Sequence, residues 1–295
     1  EYHKNFEKLV RFYYNFGISY NERSMTNEAI ELLSKAIEIA IKEKQYKLIP
    51  NAKLEIANSY IIKNENENAK KFLDEAILEL KFIEDSTKRQ SFLGEYYTTL
   101  GEYNSQNSSI KESIKAYKEA LLYLGDPTED ARYFAKVEAK LAWQYFKQKD
   151  TVLCDSAIEH GLHYLLGEKY IRNNIPHQKD IYSENTFFEL FEIKAENELY
   201  KYHHNKNIYH LKYALNYLTL SLETLDQLRK IISEDKSKLL SVKETKRLVD
   251  KAIVVAFELY KTDRKLITDE KIESLFDYSK SLLLSDKLHQ KNKFL

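Results

Sequence analysis

The sequence predicts an all-α protein: a right-handed superhelix of helical hairpins followed by longer antiparallel helices. Three observations carry that expectation. Gly (6) and Pro (3) are scarce among 295 residues, which favours helices joined by short turns over a β-sandwich, whose many turns need breakers. A fixed spacing of small residues recurs four times within residues 1–167. Beyond that point the helix-periodic stretches become longer.

The first unit has Tyr13, Phe16, Gly17 and Tyr20 on one helical face, then Ala29, Leu33 and Ala36. The second has Ile56, Ala57 and Tyr60, then Ala69, Leu73 and Ala76. The third reads Tyr97, Leu100, Gly101 and Asn104, then Ser113, Tyr117 and Ala120. The fourth reads Leu141, Ala142 and Tyr145, then Cys154, Ile158 and Gly161. The opening small residues fall at 17, 57, 101 and 142, steps of 40, 44 and 41, with the next small residue 12 positions on and a third 7 beyond it. Two antiparallel helices approach closely only where the crossing side chains are small, with large neighbours filling the grooves on either side. This pattern resembles the tetratricopeptide repeat. Its period exceeds the usual ~34 residues, an excess that fits about one added turn on each helix and longer connections.

Residues 168–295 form the second predicted region. "GEKYIRNNIPHQKDIY" (167–182) is polar, contains Pro176 and reads as a connection. Helical patterns follow at about 183–202, 208–232, 236–261 and 269–290, with breaks at 203–207 and 261–270. Thr268 is the expected N-cap of the last helix, with Asp269 and Glu270 favoured by the dipole in its first turn. "YALNYLTLSLETLDQLRKII" (213–232) and "IESLFDYSKSLLLSDKL" (272–288), with Phe276, Asp277, Ser279, Lys280, Leu283 and Leu284, resemble the long helices preceding the peptidase domain of CHAT proteins, the caspase-like domains associated with tetratricopeptide repeats. Asp277 and Ser281 depart from that family's usual Glu and Ala. The resemblance implies a regulatory or recognition part of a longer cysteine peptidase whose catalytic His and Cys lie outside this chain.

Composition narrows the function further. Basic and acidic residues balance at 46 each, so nucleic acid, which needs a concentrated cationic excess, is not an expected partner. No apolar stretch reaches bilayer length; "AIVVAF" (252–257) is far too short. A single cysteine forms no internal disulfide, and no signal pattern opens the chain, which begins at Glu1; a trimmed chain and a cytoplasmic location are the expectations. Cys154, with His160 and His163 nearby, raises the question of a catalytic thiol, but its register makes it the fourth unit's small crossing residue, buried and of raised pKa. The eight histidines are expected at the surface or at helix edges, with no metal-ligand spacing. No phosphate loop, zinc-protease motif or nucleophile elbow is present, so the chain is expected not to be an enzyme and to need no cofactor.

The expected activity is binding. In a superhelix of such hairpins the first helix of each pair, helix A, lines the inner surface. The inward positions are Tyr14, Ile18 and Asn21; Asn51, Leu54, Asn58 and Ile61; Thr98, Glu102 and Ser105; Lys136, Ala139, Trp143 and Phe146. Resemblance to peptide-binding tetratricopeptide proteins implies that Asn58 grips a ligand's main chain, since a carboxamide donates and accepts at once. Trp143 and Phe146 offer an aromatic anchor. Tyr96, Tyr103, Tyr200 and Tyr202 are expected at the surface, where they suit an interface. The partner is a protein or peptide, with a caspase-like peptidase domain as a possible neighbour in the same chain. The alternatives are a stand-alone intracellular peptide receptor of the Rap type, a sensory module fused to a kinase or transcription factor, and a thiol enzyme centred on Cys154.

Overall fold

Residues 1–130 build one compact unit of three helical hairpins: α1 (Tyr2–Glu22) with α2 (Thr26–Lys42), α3 (Ile49–Ile62) with α4 (Asn66–Leu78), and α5 (Ser86–Gln106) with α6 (Ile110–Tyr123). The computed structural model describes the backbone of residues 2–172, 174–231 and 235–291, and the side chains of 6–172, 174–228 and 243–280. Among the described residues there is no β-strand.

The crossing of each hairpin depends on its small residues. A Cβ on Gly17 would lie 2.5 Å from Cγ of Leu33, and one on Gly101 would lie 2.4 Å from Cε1 of Tyr117. Ala29, Leu33 and Ala36 on α2 are fully buried opposite Gly17, and Ala69, Leu73 and Ala76 on α4 are fully buried in the hairpin with Ala57 of α3. On α6 the equivalent Ser113 is also fully buried, and its hydroxyl donates to the Gly101 carbonyl at 2.8 Å.

The turns repeat as closely as the crossings. Ser24, Asn64, Ser108 and Lys149 each lie seven positions after their unit's small residue, and all are left-handed, with φ of 57°, 59°, 59° and 64°. The next amide donates to the carbonyl five residues back: Met25 to Tyr20, Glu65 to Tyr60, Ser109 to Asn104 and Asp150 to Tyr145, at 2.9–3.0 Å. This is the Schellman closure, which satisfies otherwise orphaned helix carbonyls.

Residues 131–295 form the second unit: α7 (Ala131–Lys147), α8 (Thr151–Leu166), α9 (Asn185–Asn205), α10 (Ile208–Ile231), α11 (Asp235–Thr262) and α12 (Asp269–Lys291). The packing boundary thus falls at 130/131 rather than at the expected 167/168. The reason is α9, which packs on both α7 and α8 and brings the fully buried Phe187, Leu190 and Phe191 with it. Leu190 reaches so close to α8 that a Cβ on Gly161 would meet it at 2.9 Å. The fourth hairpin therefore shares a core with the long helices. On α10, Ala214, Leu218 and Ser221 are fully buried with the same spacing as Ala29, Leu33 and Ala36. Twelve positions before Ala214 stands Tyr202, not a small residue, and the α9–α10 turn closes differently, by the single bond from Lys206 N to the Tyr202 carbonyl.

The helix ends match the sequence expectation within three residues. The main difference is at His203 and His204, expected in a turn but inside the last turn of α9. The Thr268 hydroxyl accepts from the Lys271 amide at 3.3 Å, as an N-cap should. Tyr96 and Tyr202, expected at the surface, are buried, each 7% exposed: both face a neighbouring helix. No described helix is long and apolar enough to cross a membrane. Leu283 and Leu284 lie outside the described side chains.

Candidate functional site: the helix-A faces

In the first unit α3 contacts both α1 and α5, so the three A helices present adjoining faces. Their inward positions separate into two classes. Asn21, Leu54, Ile61 and Thr98 are buried between helices. Asn21 is a staple: its Nδ2 donates to the Glu55 carbonyl at 3.0 Å and its Oδ1 accepts from the Ser59 hydroxyl at 2.6 Å. The Thr98 hydroxyl donates back to the Gly94 carbonyl at 2.9 Å. Tyr14, Ile18, Asn51, Asn58, Glu102 and Ser105 are half-buried and border solvent.

Around Tyr14 the face is acidic. Burial pushes its phenol above the ordinary tyrosine range, and Glu55 and Glu95 push it further. Glu95 is itself pushed up to about 7, first by burial and then by Glu55, with the Asn51 carboxamide opposing the shift. Asn51 Nδ2 approaches Glu95 Oε2 at 3.5 Å, the long limit of a hydrogen bond. Asn58 differs from its neighbours: its carboxamide makes no hydrogen bond to any described residue. Glu95 was not among the expected site residues. The register held the signal, since Glu95 stands six positions before Gly101, as Asn51 does before Ala57 and Lys136 before Ala142.

In the second unit Lys136 is exposed and Ala139 is fully buried. Trp143 and Phe146 are half-buried and meet edge to face, with ring centroids 5.7 Å apart. Phe146 meets Tyr200 of α9 at 6.4 Å, and Tyr200 meets His204 at 4.0 Å. The Lys149 ammonium lies 5.1 Å from the Phe146 ring centre and 4.9 Å from that of Tyr200. The expected aromatic pair is thus part of a larger cluster that already holds a cation.

Cys154 is fully buried on α8. Burial, and then Asp155, push its thiol up to about 12. At neutral pH that sulfur is neither ionised nor accessible. Among the described histidines, His160 is exposed with Nδ1 3.3 Å from Glu138, whereas His210 is half-buried and its Nδ1 pairs with Glu198 at 2.6 Å. No group of three potential metal ligands occurs among the described residues.

No known protein family profile matches this chain, and no curated protein sequence matches it. Solved structures do. BtubC (BKLC) from P. vanneervenii superposes with a TM-score of 0.58 over 96% of this chain and 92% of that one, at 12% identity. The Rap protein complexed with competence and sporulation factor gives 0.43 over 92% and 76%, at 18% identity. The TPR2AB domain of yeast Sti1, in complex with pHSP90, gives 0.34 over 93% and 99%, at 12% identity. The first likeness extends to the fold alone, and the other two are too weak to build on. The chain is an all-α protein of tetratricopeptide-like hairpins.

Proposed function

We propose that this chain is a binding scaffold that holds an extended, basic peptide or protein segment against the helix-A face of its first unit. One observation carries the reading: Asn58, at the solvent border of α3, has a carboxamide with no partner among the described residues. Nearby groups on the same face, Asn21 and Thr98, are tied to backbone. A free carboxamide offers a donor pair and an acceptor to a passing main chain, whatever the side chains. Glu55, Glu95 and Glu102 supply the charge that favours Lys or Arg on either side.

Selection of displayed 12-residue peptides, followed by fluorescence polarisation on the selected sequences, tests this. Basic peptides are the expected winners. Asn58→Ala weakens them by roughly tenfold, from about 1–2 kcal/mol of lost hydrogen bonding. Affinity rises between pH 6 and 8 as Glu95 ionises, and that rise disappears in Glu95→Gln. Acidic winners, or unchanged affinity in Asn58→Ala, defeat the proposal.

A finer reading makes the scaffold the recognition part of a caspase-like peptidase of the CHAT type. It rests on the resemblance of residues 213–232 and 272–288. One feature favours it: Phe257 of α11 and Phe276 of α12 meet edge to face at 5.8 Å while remaining 39% and 37% exposed, as the seat of a further domain would. A reading frame that continues into a caspase-like His and Cys segment supports it. A stop codon after Leu295 instead favours the Rap-type receptor, and a kinase or DNA-binding segment favours the sensory module.

A further inference from the structure

The second unit contains a polar cavity of about 220 Å³ between α8, α9 and α10, away from the helix-A positions discussed above. Four charges form its framework. Lys194 Nζ donates to Asp155 Oδ1 at 2.7 Å and forms an ion pair with Glu198 Oε1 at 3.1 Å. Lys201 Nζ donates to Asp155 Oδ2 and, at 2.8 Å, to Glu198 Oε1. Burial opposes the Lys194 ammonium, but Asp155 and Glu198 overcome it and hold its pKa above the ordinary lysine range. Both carboxyls are held below their ordinary values, their own burial being overcome by Lys194 and Lys201. The formal charges of these two lysines and two carboxylates sum to zero. Glu159, also on the lining, is paired with Arg172 at 2.8 Å.

What the lining leaves unused defines the ligand. Each ammonium has three protons; Lys194 spends one on a hydrogen bond and Lys201 two. Tyr170, Tyr213 and Tyr217 also line the cavity, and none of their hydroxyls bonds to a described residue. Tyr217 is only 5% exposed. Burial pushes its phenol above the ordinary tyrosine range and keeps it protonated, and Lys194, Tyr170, Glu198 and Asp155, which act on it less strongly, line the same cavity. Asp155 accepts three hydrogen bonds and Glu198 two, each leaving acceptor capacity. His210 adds nothing further, since Nδ1 faces Glu198 and Nε2 faces Asn205. Ile158 and Leu162, with the tyrosine rings, supply apolar walls.

A carboxylate or phosphate meets no net positive charge here and cannot donate to Asp155. An ammonium cannot accept from the tyrosines. A hydroxyl does both. The cavity is smaller than the ~300–1,000 Å³ typical of drug-sized ligands. We propose that it binds an uncharged polyhydroxylated small molecule the size of one monosaccharide, with Tyr217 and the two lysines donating to its oxygens and the aromatic walls covering its C–H face.

Sugars stabilise any fold at high concentration by exclusion, so the test reads binding directly. Saturation-transfer NMR on the full chain uses D-glucose, D-galactose, D-ribose and myo-inositol, with D-glucuronate and D-glucosamine as charged counterparts. At least one neutral probe is expected to bind, more tightly than its charged counterparts. Tyr217→Phe, which removes a hydroxyl with no partner among the described residues, is expected to keep its Tm and weaken that binding about 2- to 10-fold. Should that variant lose Tm, Tyr170→Phe takes its place in the same comparison. Failure of every neutral probe, tighter binding of a charged counterpart, or unchanged binding in the Phe variant overturns the proposal.

Discussion

At Gly101 the volume a methyl group would need is already filled by the Tyr117 ring, itself 2% exposed and with nowhere to turn. Gly101→Ala therefore lowers stability by about 1–3 kcal/mol through overpacking, read as a drop in the urea midpoint at unchanged m-value. Gly161→Ala costs less, because the obstructing atoms are the methyl ends of Leu190 at 2.9 and 3.0 Å, which can rotate. Cys154 belongs to the same series of positions. Its sulfur is expected to resist a thiol reagent at pH 7.5 until urea unfolds the chain; rapid labelling of the native protein would contradict its burial. The role of Cys154 was legible because the three other units hold Ala29, Ala69 and Ser113 in that register. Glu95 was not, because a glutamate on a helix usually means a solvated face, and only the fold shows that Glu55 and Tyr14 crowd it.

The hairpins themselves were readable from spacing alone, whereas their turns were not. Ser24, Asn64, Ser108 and Lys149 hold a backbone conformation that usually announces itself by glycine, and none of them is glycine. A left-handed L-residue carries about 1–2 kcal/mol of strain, which glycine relieves in the folded state at the partial expense of greater freedom in the unfolded one. Ser108→Gly is accordingly expected to raise stability by about 0.5–1 kcal/mol, measured as an upward Tm shift; a fall would mean that the Ser108 side chain contributes something its geometry does not reveal. The long helices of the second half were placed well by their apolar period. The kinship of α10 with the earlier B helices was harder to see, because its partner α9 carries Tyr202 where a small residue belongs.

Over the whole chain, buried charge sets a pH dependence of both signs. Glu95 and Glu138 are pushed up to about 7, in both cases chiefly by burial. The folded state holds their protons more tightly than the unfolded state does. Their contribution is complete below the ordinary value of 4.5 and is lost as pH rises through 7. Asp155 and Glu198 are shifted down, so their contribution exists above the ordinary 3.8 and 4.5 and disappears as pH falls. From these four groups stability should peak at about pH 4–5. Glu95→Gln should flatten part of the decline toward pH 8 while leaving the acid limb unchanged; thermal melts from pH 3 to 9 measure both. Composition indicated neither limb, since 46 cations against 46 anions says nothing about which of them are buried. The division at Asp130 was equally hidden, because the repeat runs through it without a break in spacing and only the seating of α9 on α7 and α8 sets the boundary.

The recurring closure from Met25 to Tyr20, Glu65 to Tyr60, Ser109 to Asn104 and Asp150 to Tyr145 also bears on how such a gene can change. Each pair of helices is fastened by atoms lying within a few residues of one another, so its assembly requires no distant strand to arrive first. A pair gained or lost by recombination at the links between pairs leaves every remaining joint intact. Evolution can lengthen or shorten such a protein by whole pairs, and natural relatives should differ in the number of pairs more readily than in the chemistry of the fastening.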